Sequence, residues 1–131
     1  MFGSETVFTK TFTIETDPAG ADAFHIMRAP RSLYVLGAYY VSENAQGAGS
    51  AIDLALQNWD TTGTAVKTGG TIAVASGTSI AADTPLTATL TAAAQQVAEG
   101  EWLVLSYTEV GGGYQSGDRV HFQFDYTLGE A

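Results

Sequence analysis

The sequence predicts an all-β protein: an antiparallel β-sandwich, jelly-roll-like, forming one domain with an extended N-terminal segment. Three observations predict it. Apolar residues recur with a period of two in one segment after another. Turn-forming clusters separate these segments at roughly 8–12-residue intervals, giving about seven or eight strands. No segment has the length and pattern of the crossover helix that a parallel sheet requires.

The first segment, "TVFTKTFTIET" (6–16), places Phe8, Phe12 and Ile14 on one face together with Lys10. It is expected as an extended strand or arm over residues 1–16, with the sandwich domain occupying 17–131. "DPAGADAFHIMRAPRS" (17–32) opens as a turn, holds a short strand at Phe24–Met27, and turns again at Pro30. "LYVLGAYYVS" (33–42) is apolar at both parities, the pattern of a strand covered on both faces. In "AIDLALQN" (51–58), Ile52, Leu54 and Leu56 point inward while Asp53 and Gln57 point outward.

"TIAVAS" (71–76) and "LTATLT" (86–91) repeat that alternation, with Ile72, Val74, Leu86 and Leu90 expected inside. "AAAQQVA" (92–98) is the one helical candidate, worth a turn or two. "EWLVLSYTE" (101–109) follows a Glu99-Gly100 turn. "RVHFQFDYTL" (119–128) closes the pattern, with Val120, Phe122, Phe124, Tyr126 and Leu128 on one face and His121, Gln123, Asp125 and Thr127 on the other.

A chain of 131 residues suits one domain and buries roughly two-thirds of its unfolded surface. Charged residues make up only 15% of it, against about 25–35% on the surface of a free-standing soluble domain. Much of the exterior must therefore be small and neutral, which suits contact with other protein. Five basic residues stand against fourteen acidic ones, a net charge of −9. Nucleic-acid binding draws on released counterions and needs Lys and Arg, so neither nucleic acid nor an acidic membrane surface is an expected partner. No cysteine is present, which excludes disulfides, thiolate catalysis and Cys-based zinc sites. "MFGSETVFTK" lacks the basic start and apolar core of a signal peptide, and synthesis in the cytoplasm is expected.

Four glycines crowd the stretch "EVGGGYQSGD" (109–118). A phosphate-cradling loop follows a strand and opens a helix whose first amides face the anion. Here a strong strand follows instead, Ser116 occupies the place of the third glycine, and no P-loop lysine is present. The stretch reads as a strand–strand loop with Tyr114 at its tip, an aromatic of the kind that anchors interfaces.

Neither His25 nor His121 has a neighbouring ligand at metal-site spacing, and both read as structural or surface residues. The carboxylates are scattered among loops, with no calcium-loop run and no nucleophile motif of the G-x-S-x-G type. No cofactor, metal or catalytic set is expected, and the chain does not read as an enzyme. Arg28 and Arg31 supply two of the five positive charges beside Pro30, for internal ion pairs or a partner's carboxylates. Trp59, at a strand end, closes the core or presents a binding aromatic. The candidate interface residues are thus Phe8, Lys10, Phe12, Arg28, Arg31, Trp59 and Tyr114.

Residues 28–128 resemble the small capsid decoration, or cement, proteins of tailed bacteriophages. The likeness runs in order through "RAP", "LYVLGAYYVSE", "AIDLALQNWDTTGTAV", "ASGTSIAADTPLTATLTAAAQQ", "VAEGEWLVLSYTEVGGG" and "VHFQFDY". Its most specific part is the V-A-x-G-[DE] turn at Val97–Glu101, ahead of an apolar strand and a glycine-rich loop. The first 16 residues lie outside the likeness. The resemblance implies a jelly-roll-like homotrimer on the exterior of the virion, bound to the major capsid protein and locking neighbouring capsomers together. The competing expectation is a carbohydrate-binding sandwich of a phage or cell-surface appendage, stacking sugars on Trp59, Tyr114 or Trp102. A hydrolase on the same scaffold would need two carboxylates or a Ser–His pair to converge in a cleft.

Overall fold

The strand pairing of the computed structural model joins the beginning of the chain to its end. Residues 6–16, 18, 21–44, 51–78, 82–110 and 119–129 are described. The strands are β1 (Phe8–Ile14), β2 (Ala21–Arg28), β3 (Leu33–Ser42), β4 (Ala51–Trp59), β5 (Val66–Thr78), β6 (Leu86–Thr87), β7 (Thr89–Leu90), β8 (Gln96–Val97), β9 (Trp102–Val110) and β10 (Val120–Leu128). One sheet runs β1-β10-β3-β6, with β8 also on β3, and the other runs β2-β9-β4-β5-β7. All pairings are antiparallel. The first strand pairs with the last and the second with the next to last, which is the folded-over double sheet of a jelly roll. The all-β sandwich expected from the alternation is therefore the fold.

The core fills the space between the sheets. From one side come Leu33, Val35, Tyr40, Val120, Phe122 and Phe124, and from the other Ile52, Leu54, Leu56, Leu103, Leu105 and Tyr107, all at most 1% exposed. Tyr40 is admitted because its hydroxyl donates to the Ile52 carbonyl at 3.0 Å, and burial pushes its pKa up to about 12. The helical candidate is a single 3-10 turn, Ala92–Ala94.

The described part of the N-terminal segment is an edge strand of the chain's own sheet. β1 pairs with β10 from Phe8↔Tyr126 to Ile14↔Val120. Phe12 crosses to the other sheet and meets Phe24 at a ring separation of 5.2 Å. The expected face of Phe8, Lys10, Phe12 and Ile14 is the inward one, since these residues oppose Tyr126, Phe124, Phe122 and Val120.

Other expectations need correction. β2 is twice the length expected, because a bulge between His25 and Met27 hides its alternation. β5 begins at Val66, inside what reads as a connection. Its Gly69-Gly70 pair is part of the strand, and a Cβ on Gly70 would lie 2.6 Å from the Asn58 carbonyl oxygen. The irregular register there turns Val74 outward, 45% exposed, while Ile72, Ala73 and Ala75 are buried. "LTATLT" is two short strands: the chain leaves one sheet after Thr87 and joins the other at Thr89, through the buried Ala88. β3 is covered on its inner face only, with Tyr34, Tyr39 and Val41 half-buried and Leu36 40% exposed on or beside the other.

Candidate interaction surface

Arg28, Trp102, Trp59 and Val66 gather at one end of the sandwich, with Arg31 on the adjacent link. The link from Arg28 to Leu33 carries the chain between sheets there. It is pinned by the buried Ala29, whose N–H donates to the Glu101 carbonyl at 2.8 Å and whose carbonyl accepts from Gly100 N–H at 2.9 Å. The strand register then sets Arg28 beside Trp102, Trp102 beside Trp59, and Trp59 beside Val66. These four form one cross-strand row on the outer side of the β2-β9-β4-β5 sheet. Neighbouring residues across strands are the units of contact on such a face.

His25 stands against both tryptophans, nearly perpendicular, with ring centroids 5.2 Å from Trp59 and 5.6 Å from Trp102. Its Nε2 donates to the Gly63 carbonyl at 2.8 Å, so that nitrogen carries the proton. Gly63 belongs to the turn after Trp59, where φ is +70° and a Cβ would meet the Trp102 ring at 3.2 Å. Asp60 holds this turn, accepting from the Thr62 hydroxyl at 2.7 Å and from Thr64 N–H at 3.1 Å. These bonds hold its carboxyl below the ordinary carboxylate range.

Beneath this row, Glu101 is 8% exposed. It accepts from Lys67 at 2.6 Å, Asn58 at 3.1 Å and Ala98 N–H at 2.9 Å. Burial pushes its carboxyl up, but Lys67, the Ala98 amide and Asn58 together pull it below the usual value. The glutamate that ends the V-A-x-G-[DE] turn is therefore a structural hub. Sequence reading does not single it out, because its partners come from β4 and β5.

The cations divide sharply. Lys67 is paired with Glu101 and Arg119 with Glu43. Lys10, Arg28 and Arg31 are exposed and have no ion pair among the described residues. Arg28 lies beside Gly100, whose φ is +86° and whose Cβ would sit 3.2 Å from the guanidinium. These unpaired cations are the three that the sequence proposes for an interface.

The structure brings Arg28 and Trp59 onto one row, with Arg31 on the adjacent link. Phe8, Lys10 and Phe12 lie apart, on β1. Phe8 is 40% exposed and stacked on Tyr126 at 5.5 Å. Lys10 points inward at a sheet edge, the placement by which edge strands discourage unwanted pairing. Phe12 is partly buried core. Tyr114 lies outside the described residues. The two histidines are far apart: His121, at the opposite end, donates through Nε2 to Glu43 and meets Thr13 Oγ1 through Nδ1 at 2.9 Å. Among the described residues no three His, Asp or Glu side chains gather as a metal site.

No protein-family model matches the sequence, and no curated protein matches it. Among solved structures, a chain of the cyanophage Pam1 capsid asymmetric unit superposes with a TM-score of 0.51 at 19% identity, over 96% of this chain and 86% of that one. Desmodium yellow mottle tymovirus follows at TM-score 0.39 and 13% identity, over 98% and 92% of the two chains. Infectious bursal disease virus Gt strain gives 0.37 and 16%, over 96% of this chain and 33% of that one. The first comparison establishes the shared fold; the other two are too distant to add to it.

Proposed function

We propose that this protein is a structural component of a phage virion. It binds the outer surface of the assembled capsid as a homotrimer and cements neighbouring capsomers of the major capsid protein. The observation that carries this reading is the near end-to-end match of its fold to a chain of a cyanophage capsid asymmetric unit. The unpaired Arg28 and Arg31, on a chain of net charge −9, support docking by the end that bears them against carboxylates of the capsid.

Such a role needs no chemistry. Three identical contacts held in one trimer act at high effective concentration, so modest single contacts become tight together. A protein that binds only the assembled lattice stabilises that lattice by mass action. β1, with Phe8 and Lys10 exposed, is the second contact in this reading, toward a neighbouring subunit of the trimer or the capsid.

The test is addition of purified protein to capsids that lack it, followed by sedimentation and thermal melting. Co-sedimentation and a raised capsid melting temperature are expected, with the free protein sedimenting at three times 13.7 kDa. Protein that neither sediments with capsids nor raises their melting temperature refutes the cementing role.

A further inference from the structure

The sheet that carries β3 has an outer face unlike the rest of the surface. Two cross-strand rows lie side by side on it, Thr13–His121–Val41 and Thr11–Gln123–Tyr39. They line a shallow cavity of about 290 Å³, near the lower size of small-molecule sites at roughly 300 Å³. Tyr39 leans back along β3 until its hydroxyl lies over Gly37, where a Cβ would stand 2.9 Å from that oxygen and 3.4 Å from the ring. Glycine at this position lets the phenol ring lie down along the strand and offer a flat apolar wall.

The polar groups around the cavity are set and largely unspent. Glu43 accepts the Nε2 proton of His121, and Nδ1 meets the Thr13 hydroxyl at 2.9 Å. Whichever of the two donates, the Thr13 hydroxyl keeps a hydrogen-bonding position for a ligand. Thr11 and the Tyr39 hydroxyl have no hydrogen-bond partner among the described residues, and Gln123 makes a long 3.5 Å contact to Asp125. An aromatic wall with two hydroxyls and an amide at its rim fits a ring that is apolar on its face and hydroxylated at its edge. Charge selects further. Arg119 is taken up by Glu43, and Glu43 and Asp125 flank the rows, so an anionic ligand meets net repulsion.

We propose that this cavity binds the ring of a neutral hexopyranose, stacked on Tyr39 and hydrogen-bonded by Thr11, Thr13 and Gln123. The site lies on the sheet opposite the tryptophan row, and it does not depend on capsid docking.

The experiment is an NMR titration of the full chain with the methyl glycosides of glucose, galactose and mannose and with N-acetylglucosamine. Concentrations run to roughly tens of millimolar, the range in which a single weak site saturates. At least one sugar should shift the Gln123 side-chain amide and the Tyr39 ring signals, and glucuronate should bind at least tenfold more weakly than that sugar. Tyr39→Ala and Gln123→Ala should each weaken binding at least tenfold; Gln123→Ala alone decides the matter if the tyrosine variant does not fold. The proposal is overturned if no sugar moves these signals, if the shifts map to Trp59 and Trp102, or if folded variants bind unchanged. It is equally overturned if the cavity signals respond only to added capsids, which would make the cavity a protein contact. None of these results bears on whether the capsid is cemented.

Discussion

The two ends of the sandwich use the same kinds of residue in opposite ways. At the end bearing Arg28, Glu101 is buried in its network and Asp60 ties its own turn, while Arg28 and Arg31 are exposed and have no ion pair among the described residues. At the other end the cation is the paired member, though it stays open to solvent. Arg119 is bound to Glu43 at 3.0 Å, while Glu15, Asp22 and Asp83 are exposed. A net charge therefore hides a polarity along the strands. One end can meet an acidic surface, and the other is repelled by it.

The most disruptive way to break this contrast is Glu101→Ala. It removes the acceptor shared by Lys67, Asn58 and the Ala98 amide, leaving Asn58 buried at 4% exposure without that bond. A loss of about 3 kcal/mol in folding stability is expected, read as a lower midpoint in urea unfolding. A change within about 0.5 kcal/mol, the range of an ordinary surface substitution, would show that the network adds nothing.

Next comes charge reversal at the proposed docking end. Arg28→Glu combined with Arg31→Glu should leave the unfolding midpoint nearly unchanged, since neither side chain has an ion partner among the described residues. Capsid affinity should fall roughly a hundredfold at low salt, because like charges are then forced together. The matched control is Glu15→Lys with Asp22→Lys at the far end, expected to leave affinity unaltered or slightly improved. Equal losses from both pairs would mean that the polarity does not orient the protein on the capsid.

A smaller effect is expected at the chain's beginning. Phe12→Ala exposes Phe24 and loosens the β1 edge at a cost of about 2 kcal/mol, less than a fully buried phenylalanine because Phe12 is only partly buried. Phe8→Ala, at a residue 40% exposed, should alter stability by well under half of that. If trimer or capsid affinity nevertheless drops in Phe8→Ala, β1 is a contact as well as an edge.

The contrast between ends also explains what was legible in the sequence. β4 is readable because it buries one parity throughout. β9 and β10 are readable as strands from their apolar runs, although β9 also buries Val104 and a bulge at Asp125/Tyr126 turns Thr127 inward on β10, against its expected outer face. β2 was only half readable, since the bulge at Ile26 breaks the period. The start of β5 reads as a loop because Gly69-Gly70 looks like a turn, although Gly70 is there to let the Asn58 carbonyl approach. Arg28, Arg31 and Trp59 could be singled out as unusual residues. Their meeting with Trp102, His25 and Val66 could not, because it depends on the register of four strands. The sequence places Lys10 on one face with Phe8, Phe12 and Ile14, and only the pairing with β10 shows that this face is the inner side of an edge strand.

The smallest expected effect concerns acid. Glu43, Asp60 and Glu101 are all held below their ordinary values. For Glu43 the hydrogen bond from His121 is the largest cause, opposed next by desolvation, with Arg119 adding to the lowering. A carboxyl depressed in the folded state takes up its proton at a lower pH than in the unfolded chain. Its stabilisation is thus complete above about pH 4.3 for a glutamate and drains away as pH falls through the folded value. Glu101→Gln should flatten the acid limb of stability noticeably, because its carboxylate is buried beside the buried Asn58. Glu43→Gln should flatten it little, because the pair at the acidic end is open to solvent and screened by salt. Urea midpoints measured from pH 7 to pH 3 in wild type and both variants would order the two ends. A larger change for Glu43→Gln would place the stronger electrostatic anchor at the acidic end and reverse the contrast drawn between them.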